Sequence, residues 1–338
     1  MKLNHFLGIS LLFYRATHLA FANEHHGHEH HGHEHHHGHE HNGRHLESGR
    51  SCGTIDQTEK EQASVKAEID KWLVTNKDKK SLAPVEIETI IHVVHPNNQP
   101  PSANEVYGNE QAQVDVLNYA FRTTRFSFKL VEVQVHNNNN WWNDGSSMRP
   151  STRSGSYATL NVWFNTAGGY LGYATFPSFN SGDKYDGVVC LHSSGPEGTE
   201  SNYNEGDTLV HEVGHWMHLD HTFAGYSCSG SGDQVADTPA EADYTSGCPA
   251  PNTVDTCPNS PGFDSINNYM NYVYDVCMFE FTEGQIERMD AAWELYRAPY
   301  VEPPSSGPST SPSSSPTKSM APTTSPTSLP SNEPTSSP

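Results

Sequence analysis

The chain runs to 338 residues with 40 acidic against 19 basic side chains, a formal charge of −21. That balance excludes a protein that holds nucleic acid through phosphate contacts. No apolar run approaches the ~18 residues of a membrane-spanning helix.

Residues 1–22 read as a secretory signal. Lys2 supplies the positive start, Phe6 to Tyr14 the apolar stretch, and Ala20-Phe21-Ala22 a small-x-small cleavage site. A secreted protein, extracellular or associated with a cell wall, is therefore expected, and its six cysteines suit an oxidising compartment. Residues 23–45 are mostly His, Glu and Gly, with twelve histidines between His25 and His45. Such a tract has almost nothing apolar to bury and should be disordered; its imidazoles suit loose metal capture or a charge switch. Residues 46–83 read as a pro-segment. Within it 61–74 has helical period, with Val65, Ile69 and Trp72 on one face, and Lys77-Asp78-Lys79-Lys80 offers an exposed cleavage site. Residues 84–300 carry the globular sequence, and 301–338 form a Ser/Thr/Pro-rich disordered tail resembling a glycosylated stalk.

The globular part opens on a β-branched strand at 85–94, followed by a helix at 111–121 with Val114, Leu117 and Phe121 inward. Strands follow at 126–135, 158–164 and 187–192. A further helix starts near 206–208, where Asp207 can cap the first turn. Past His221 the chain is rich in Gly, Pro, Asp and Cys, and only 283–296 reads as a closing helix, with Ile286, Met289, Trp293 and Tyr296 together. This order implies an α/β fold: a sheet, a backing helix, and a second helix beside a cleft at the sheet edge.

His211-Glu212-Val213-Gly214-His215 puts two imidazoles one helical turn apart, able to share one metal ion. Glu212 beside the first ligand can act as general base on a water held there. On an unbroken helix His221 would lie about 15 Å from His211. The helix must therefore end near His218 and the chain turn back to bring His221 in as third ligand. His218 stands where the H-E-x-x-H-x-x-G-x-x-H pattern has Gly. A left-handed backbone there costs a non-glycine residue on the order of 1 kcal/mol, and His is among the better tolerated types.

Farther on come Gly232-Asp233-Gln234-Val235-Ala236-Asp237-Thr238, Asn268-Tyr269-Met270-Asn271-Tyr272, Asp275, and Phe281-Thr282-Glu283-Gly284-Gln285. With the histidines, this order resembles the pappalysin (cytophagalysin) family of metzincin zinc metalloproteases, in particular its smaller secreted members, over residues 84–297. The resemblance implies a mixed twisted sheet with backing and active-site helices above an irregular lower half stapled by disulfides. It implies zinc on His211, His215 and His221, Glu212 as general base and acid, Met270 as the Met-turn methionine, and Tyr272 as oxyanion stabiliser. Asn271 stands where the family usually has Asp.

The cysteine count alone leaves three pairings open for Cys228, Cys248, Cys257 and Cys277; the family pattern favours Cys228 with Cys257 and Cys248 with Cys277. The resemblance also implies a calcium site on Asp233, the Ala236 carbonyl and Thr238. It makes Asp275 the base of the pocket for the residue after the cut bond, favouring Arg or Lys. Arg50-Ser51-Cys52-Gly53-Thr54 resembles the Cys-Gly motif of related zymogens, so Cys52 would block the zinc, leaving Cys190 a free thiol. The competing possibility is a Cys52–Cys190 disulfide. Protein or peptide substrates and a monomer are expected. Two further alternatives stand: Glu241 as third ligand, and a non-catalytic metal-binding or adhesive surface protein.

Overall fold

Period-two alternation in the first strand sorts the two faces of the sheet. The structure is a computed structural model and describes residues 50–55, 57–76, 82–178 and 183–301. The signal, the His-rich tract, the cleavage site at 77–80 and the tail lie outside these residues. In chain order the main elements are α1 (Glu59–Asn76), β1 (Val85–His95), α2 (Glu110–Ala120), β2 (Phe126–Asn137), α3 (Asn139–Trp142), α4 (Met148–Thr152), β3 (Leu160–Asn165), β4 (Gly172–Ala174), β5 (Val188–Leu191), α5 (Asp207–Trp216) and α6 (Glu283–Ala292).

The sheet runs β2-β1-β3-β5-β4, parallel except for β4, which pairs antiparallel with β5. Ile91 and Val93 of β1, Val162 and Phe164 of β3, and Val188 and Cys190 of β5 face the main core with Leu117 of α2 and Val210 and Val213 of α5. Val94, Trp163, Val189 and Leu191 face the other way, into a smaller cluster closed by Met148 and Tyr203. Both faces of β3, β5 and the second half of β1 are covered, so only the start of β1 keeps a half-wet alternation.

The expected strands and the 111–121 helix are present. Three features differ from expectation. Strand β4 is only Gly-Tyr-Ala, too short for any periodic signal. Helices α3 and α4 lie in a polar stretch, where the Asn138 side chain accepts from the Asn140 and Trp141 amides. Asp207 does not cap α5: the cap is Gly206, without a side-chain bond, and Asp207 is the first helical residue.

Below α5 the chain has little regular structure up to α6, whose start carries a reciprocal Thr282/Gln285 capping box. Disulfides Cys228–Cys257 and Cys248–Cys277 close two interleaved loops, each with a sequence separation of 29. Cys52 and Cys190 are free. They flank β4, since Cys52 and Cys190 each pair with Gly172 from opposite sides. Two strand spacings, about 10 Å, separate them, beyond the reach of a disulfide. At the N-terminal end Ile69 of α1 is buried and Val65 and Trp72 half-buried, while Tyr296 donates to Glu68 at 3.0 Å.

Candidate active site

Every residue of α5 is buried. The helix ends after Trp216: His218 has φ of +74°, its amide donates to His215 O, and Leu219 N reaches back to Gly214 O. That is the left-handed reversal that delivers His221, with histidine accepting it in place of glycine. Arg288 of α6 holds the reversed carbonyl, donating from Nε to His218 O at 2.8 Å.

The reversal brings His211, His215 and His221 together with Cys52; one donor atom from each lies within 4.8 Å of the others. Tyr269 O and Leu219 O each sit 2.7 Å from Nδ1 of His211 and His215 respectively. A carbonyl only accepts, so both Nδ1 atoms carry the proton and both Nε2 lone pairs face the cluster. His211 Nε2 is buried with no hydrogen-bond partner. Burial and the neighbouring imidazoles hold His211 and His215 well below the usual histidine range, so they are neutral. Converging imidazole nitrogens, one of them orphaned, fit a cation. Glu241 is not among these donors; it lies under the neighbouring loop.

Met270 is fully buried, and a Cβ on Gly214 would meet its Sδ at 2.3 Å, so the glycine lets α5 rest directly on the Met270 side chain. Tyr272 packs 5.0 Å from the His221 ring and 5.8 Å from that of His211, and the Cys52 backbone hydrogen-bonds its hydroxyl. Burial pushes its hydroxyl well up.

Residues 51–54 lie along β4 in the parallel sense. Leu171 N donates to Ser51 O, Gly53 N to Gly172 O, and Ala174 N to Thr54 Oγ1. Cys52 Sγ is 3.6 Å from His215 Nε2 and 3.5 Å from Glu212 Oε2. Thr54 donates to the same Glu212 oxygen at 3.0 Å. Desolvation pushes Glu212 up to about 8, against the pull of these two hydrogen bonds; burial and then the Glu212 charge push the Cys52 thiol up as well. Gly172 makes room for the glutamate, since a Cβ there would meet its Cγ at 2.7 Å.

Asp275 is buried and paired with Arg50, whose guanidinium also reaches Val273 O and Thr208 Oγ1 and lies 5.1 Å over the Tyr203 ring. The other Asp275 oxygen accepts from Glu205 N at 3.0 Å, and the carboxylate also takes the Asp207 amide. Asp275 therefore serves the N-terminus of α5 in the role expected of Asp207. Asp207 itself is pushed up to about 8 by burial and then by the Asp275 charge.

Asp233 Oδ1 closes its own turn, accepting from Val235 N and from Thr238 Oγ1 at 2.7 Å, while Oδ2 is buried without a partner. Burial pushes this carboxyl up to about 7. Sequence reading missed Arg50, Thr54, Tyr203, Asp207 and Arg288 as parts of the site. Arg50 and Thr54 flank the Cys-Gly pair, a signal that could have found them; the others become neighbours of the cleft only on folding.

A mixed sheet whose short antiparallel end strand carries residues 51–54, with a helix that ends in a histidine reversal and rests on Met270, defines a metzincin-like fold. Residues 160–294 match the family profile described as pregnancy-associated plasma protein-A. An extracellular metalloprotease of Colletotrichum graminicola is 40% identical over 264 residues, 74% of this chain and 92% of that protein. One of Arthroderma benhamiae is 40% identical over 262 residues, 74% of this chain and 85% of that one. Mature mirolysin of Tannerella forsythia, in complex with a cleaved peptide, is 32% identical and covers 62% of this chain and 91% of its own, with a TM-score of 0.51. A promirolysin point mutant from the same organism is 28% identical and covers 73% and 94%, with a TM-score of 0.57. The chain belongs to the pappalysin family of metalloproteases, which sets aside the adhesive alternative.

Proposed function

We propose that this chain is a secreted zinc endopeptidase made as a zymogen, with His211, His215 and His221 as the metal ligands. The observation that carries the reading is the convergence of three buried imidazoles, one with an orphaned Nε2, beside the Glu212 carboxylate. Nitrogen donors with one thiol suit zinc better than a hard cation. When bound, zinc would polarise the peptide carbonyl and acidify a water at its open position.

The chain's own groups do the rest. Glu212 takes a proton from the attacking water and passes it to the leaving amine. Tyr272 donates its hydroxyl to the developing oxyanion. Asp275 receives Arg or Lys after the cut bond; the reading is supported by the Arg50 guanidinium, which meets a carboxylate, a carbonyl, a hydroxyl and an aromatic face there.

Residues 46–83 are the pro-segment on this reading. Cys52 would join the three imidazoles in holding the metal, while Thr54 hydrogen-bonds Glu212 and Arg50 pairs with Asp275. Promirolysin, which covers more of this chain than mature mirolysin does, supports it. Residues 1–22 would be removed on secretion, cleavage near 77–80 would release the catalytic domain at 84–300 as a monomer, and the 301–338 tail would tether it to a cell wall. The Asp233 turn, with Ala236 O and Thr238, is a calcium site on this reading, supported by the buried unpartnered Oδ2; calcium but not magnesium should then raise the thermal midpoint.

Metal content and cleavage of a peptide library by the processed protein test the proposal. One zinc per chain, cleavage before Arg or Lys, loss with a chelator and return with zinc are expected. Cleavage indifferent to chelation would overturn it. A Cys52→Ser precursor that is no more active than the unaltered precursor would remove the thiol from the latency mechanism.

A further inference from the structure

No helix or strand among the described residues joins the stretch after His221 to the stretch around Met270, yet one buried carboxylate bonds to a residue of each. Glu241 is 2% exposed and sits in a loop without regular structure. Its Oε2 accepts from Thr222 Oγ1 at 3.1 Å, the residue next to His221, and from Asn271 Nδ2 at 2.9 Å, the residue between Met270 and Tyr272. Its Oε1 accepts from Ser265 N at 2.6 Å. The amide of Asn271 cannot turn over, because its Oδ1 accepts from Tyr272 N at 2.7 Å and Thr245 N at 3.0 Å. Donor and acceptor are thereby assigned at every atom of the pair. Backbone contact between the two strips is a single long bond, Thr222 N to Met270 O at 3.3 Å.

We propose that Glu241 is a positioning residue for the proteolytic reaction, latching the His221 strip to the Met-turn through Thr222 and Asn271, and that Glu241 and Asn271 act as a matched acid–amide pair. This rests on the protease reading above. Changing either partner alone breaks the match. Glu241→Gln turns an amide donor toward the Asn271 donor, and Asn271→Asp sets two carboxylates face to face. Exchanging the two, Glu241→Gln with Asn271→Asp, restores one donor and one acceptor between the pair, with the Thr222 hydroxyl turning to accept; the relocated carboxylate still accepts from the Tyr272 and Thr245 amides and loses only the long 3.3 Å contact that Asn271 Nδ2 makes to Ser265 O.

The test uses the full-length precursor, processed to activity, and reads kcat, KM and the rate of metal loss to a chelator. A mismatched buried pair should lower kcat about tenfold or more in each single variant, with KM within about twofold and metal loss faster by a similar factor. The exchanged variant should return to within about threefold of the unaltered enzyme on each measure, a coupling that independent sites do not show. Additive losses without recovery, or losses in thermal midpoint alone, would overturn the latch. If neither single variant folds, the exchanged one decides: folding with activity supports the pair, failure to fold overturns it. If the unaltered protein cleaves nothing, the protease reading fails, while recovery of metal retention and thermal midpoint in the exchanged variant still judges the pair.

Discussion

The upper half of the molecule holds its share of the site with backbone hydrogen bonds; the lower half holds its share with side chains. His211, Glu212 and His215 sit on α5, where helix geometry sets their spacing and every residue is buried. His221, Met270 and Tyr272 come from chain without helix or strand. They are held by Arg288 on the His218 carbonyl, by Glu241 on Thr222 and Asn271, by a reciprocal Asn268–Gln285 amide pair at 2.7 and 3.0 Å, and by two disulfides. The difference teaches that regular structure satisfies backbone polar groups cheaply, and where it is absent buried side chains must do so one by one.

Substitutions that strike one half at a time sharpen this contrast. The largest effect should come from the upper half: Glu212→Gln removes the proton carrier and should lower kcat by at least about 100-fold. Metal content should stay at the level of the unaltered protein, because the imidazoles keep their backbone partners. A variant that loses metal in step with activity would mean that Glu212 supports the ligands rather than the chemistry.

Next comes the stapling. Replacing Cys228 and Cys257 by Ala should cost about 3 to 4 kcal/mol in the chain-entropy account of a loop this size. Cys190→Ala, in the upper core, should cost clearly less in the same denaturant titration. Equal costs would erase the distinction between the halves.

Asp275 bridges them, since it lies below the cleft yet serves the start of α5. Asp275→Asn should reduce the preference for Arg or Lys after the cut bond about tenfold to 100-fold, the worth of one charge-assisted bond. The precursor should also leak activity, because Arg50 loses its partner. An unchanged cleavage profile with tight latency would separate the pocket from Asp275.

The remaining effect is electrostatic and shows only in the pH dependence of stability. Asp207 has a folded pKa raised to about 8 from an ordinary 3.8, mainly by burial. The folded precursor therefore binds more protons than the unfolded chain between those values. Its contribution to stability is complete below the ordinary value and drains away as pH rises toward the folded one. Asp207→Asn removes that drain, so the variant's thermal midpoint should gain on the unaltered precursor steadily from pH 4 to pH 8. A pH-independent offset would show that the carboxyl is not buried in solution.

The sequence by itself determined the parts of this protein that obey a short period or a local motif. The alternation of β1, the apolar stripe of α6, the one-turn spacing of His211 and His215, and the need for a reversal before His221 are all properties of neighbours along the chain. They were legible because helix and strand geometry turn spacing into position. Family resemblance added Met270, Tyr272 and the disulfide pairing, which spacing alone left open. What tertiary structure alone decided involves partners far apart in sequence: Gly-Tyr-Ala as the edge strand, Asp275 in place of Asp207 at the start of α5, Arg50 in the Asp275 pocket 225 residues away, and Glu241 beneath Asn271. These contacts have no periodicity to announce them. Each exists because a polar group left buried by the packing of distant segments had to find a partner, and only the folded chain shows which one was within reach.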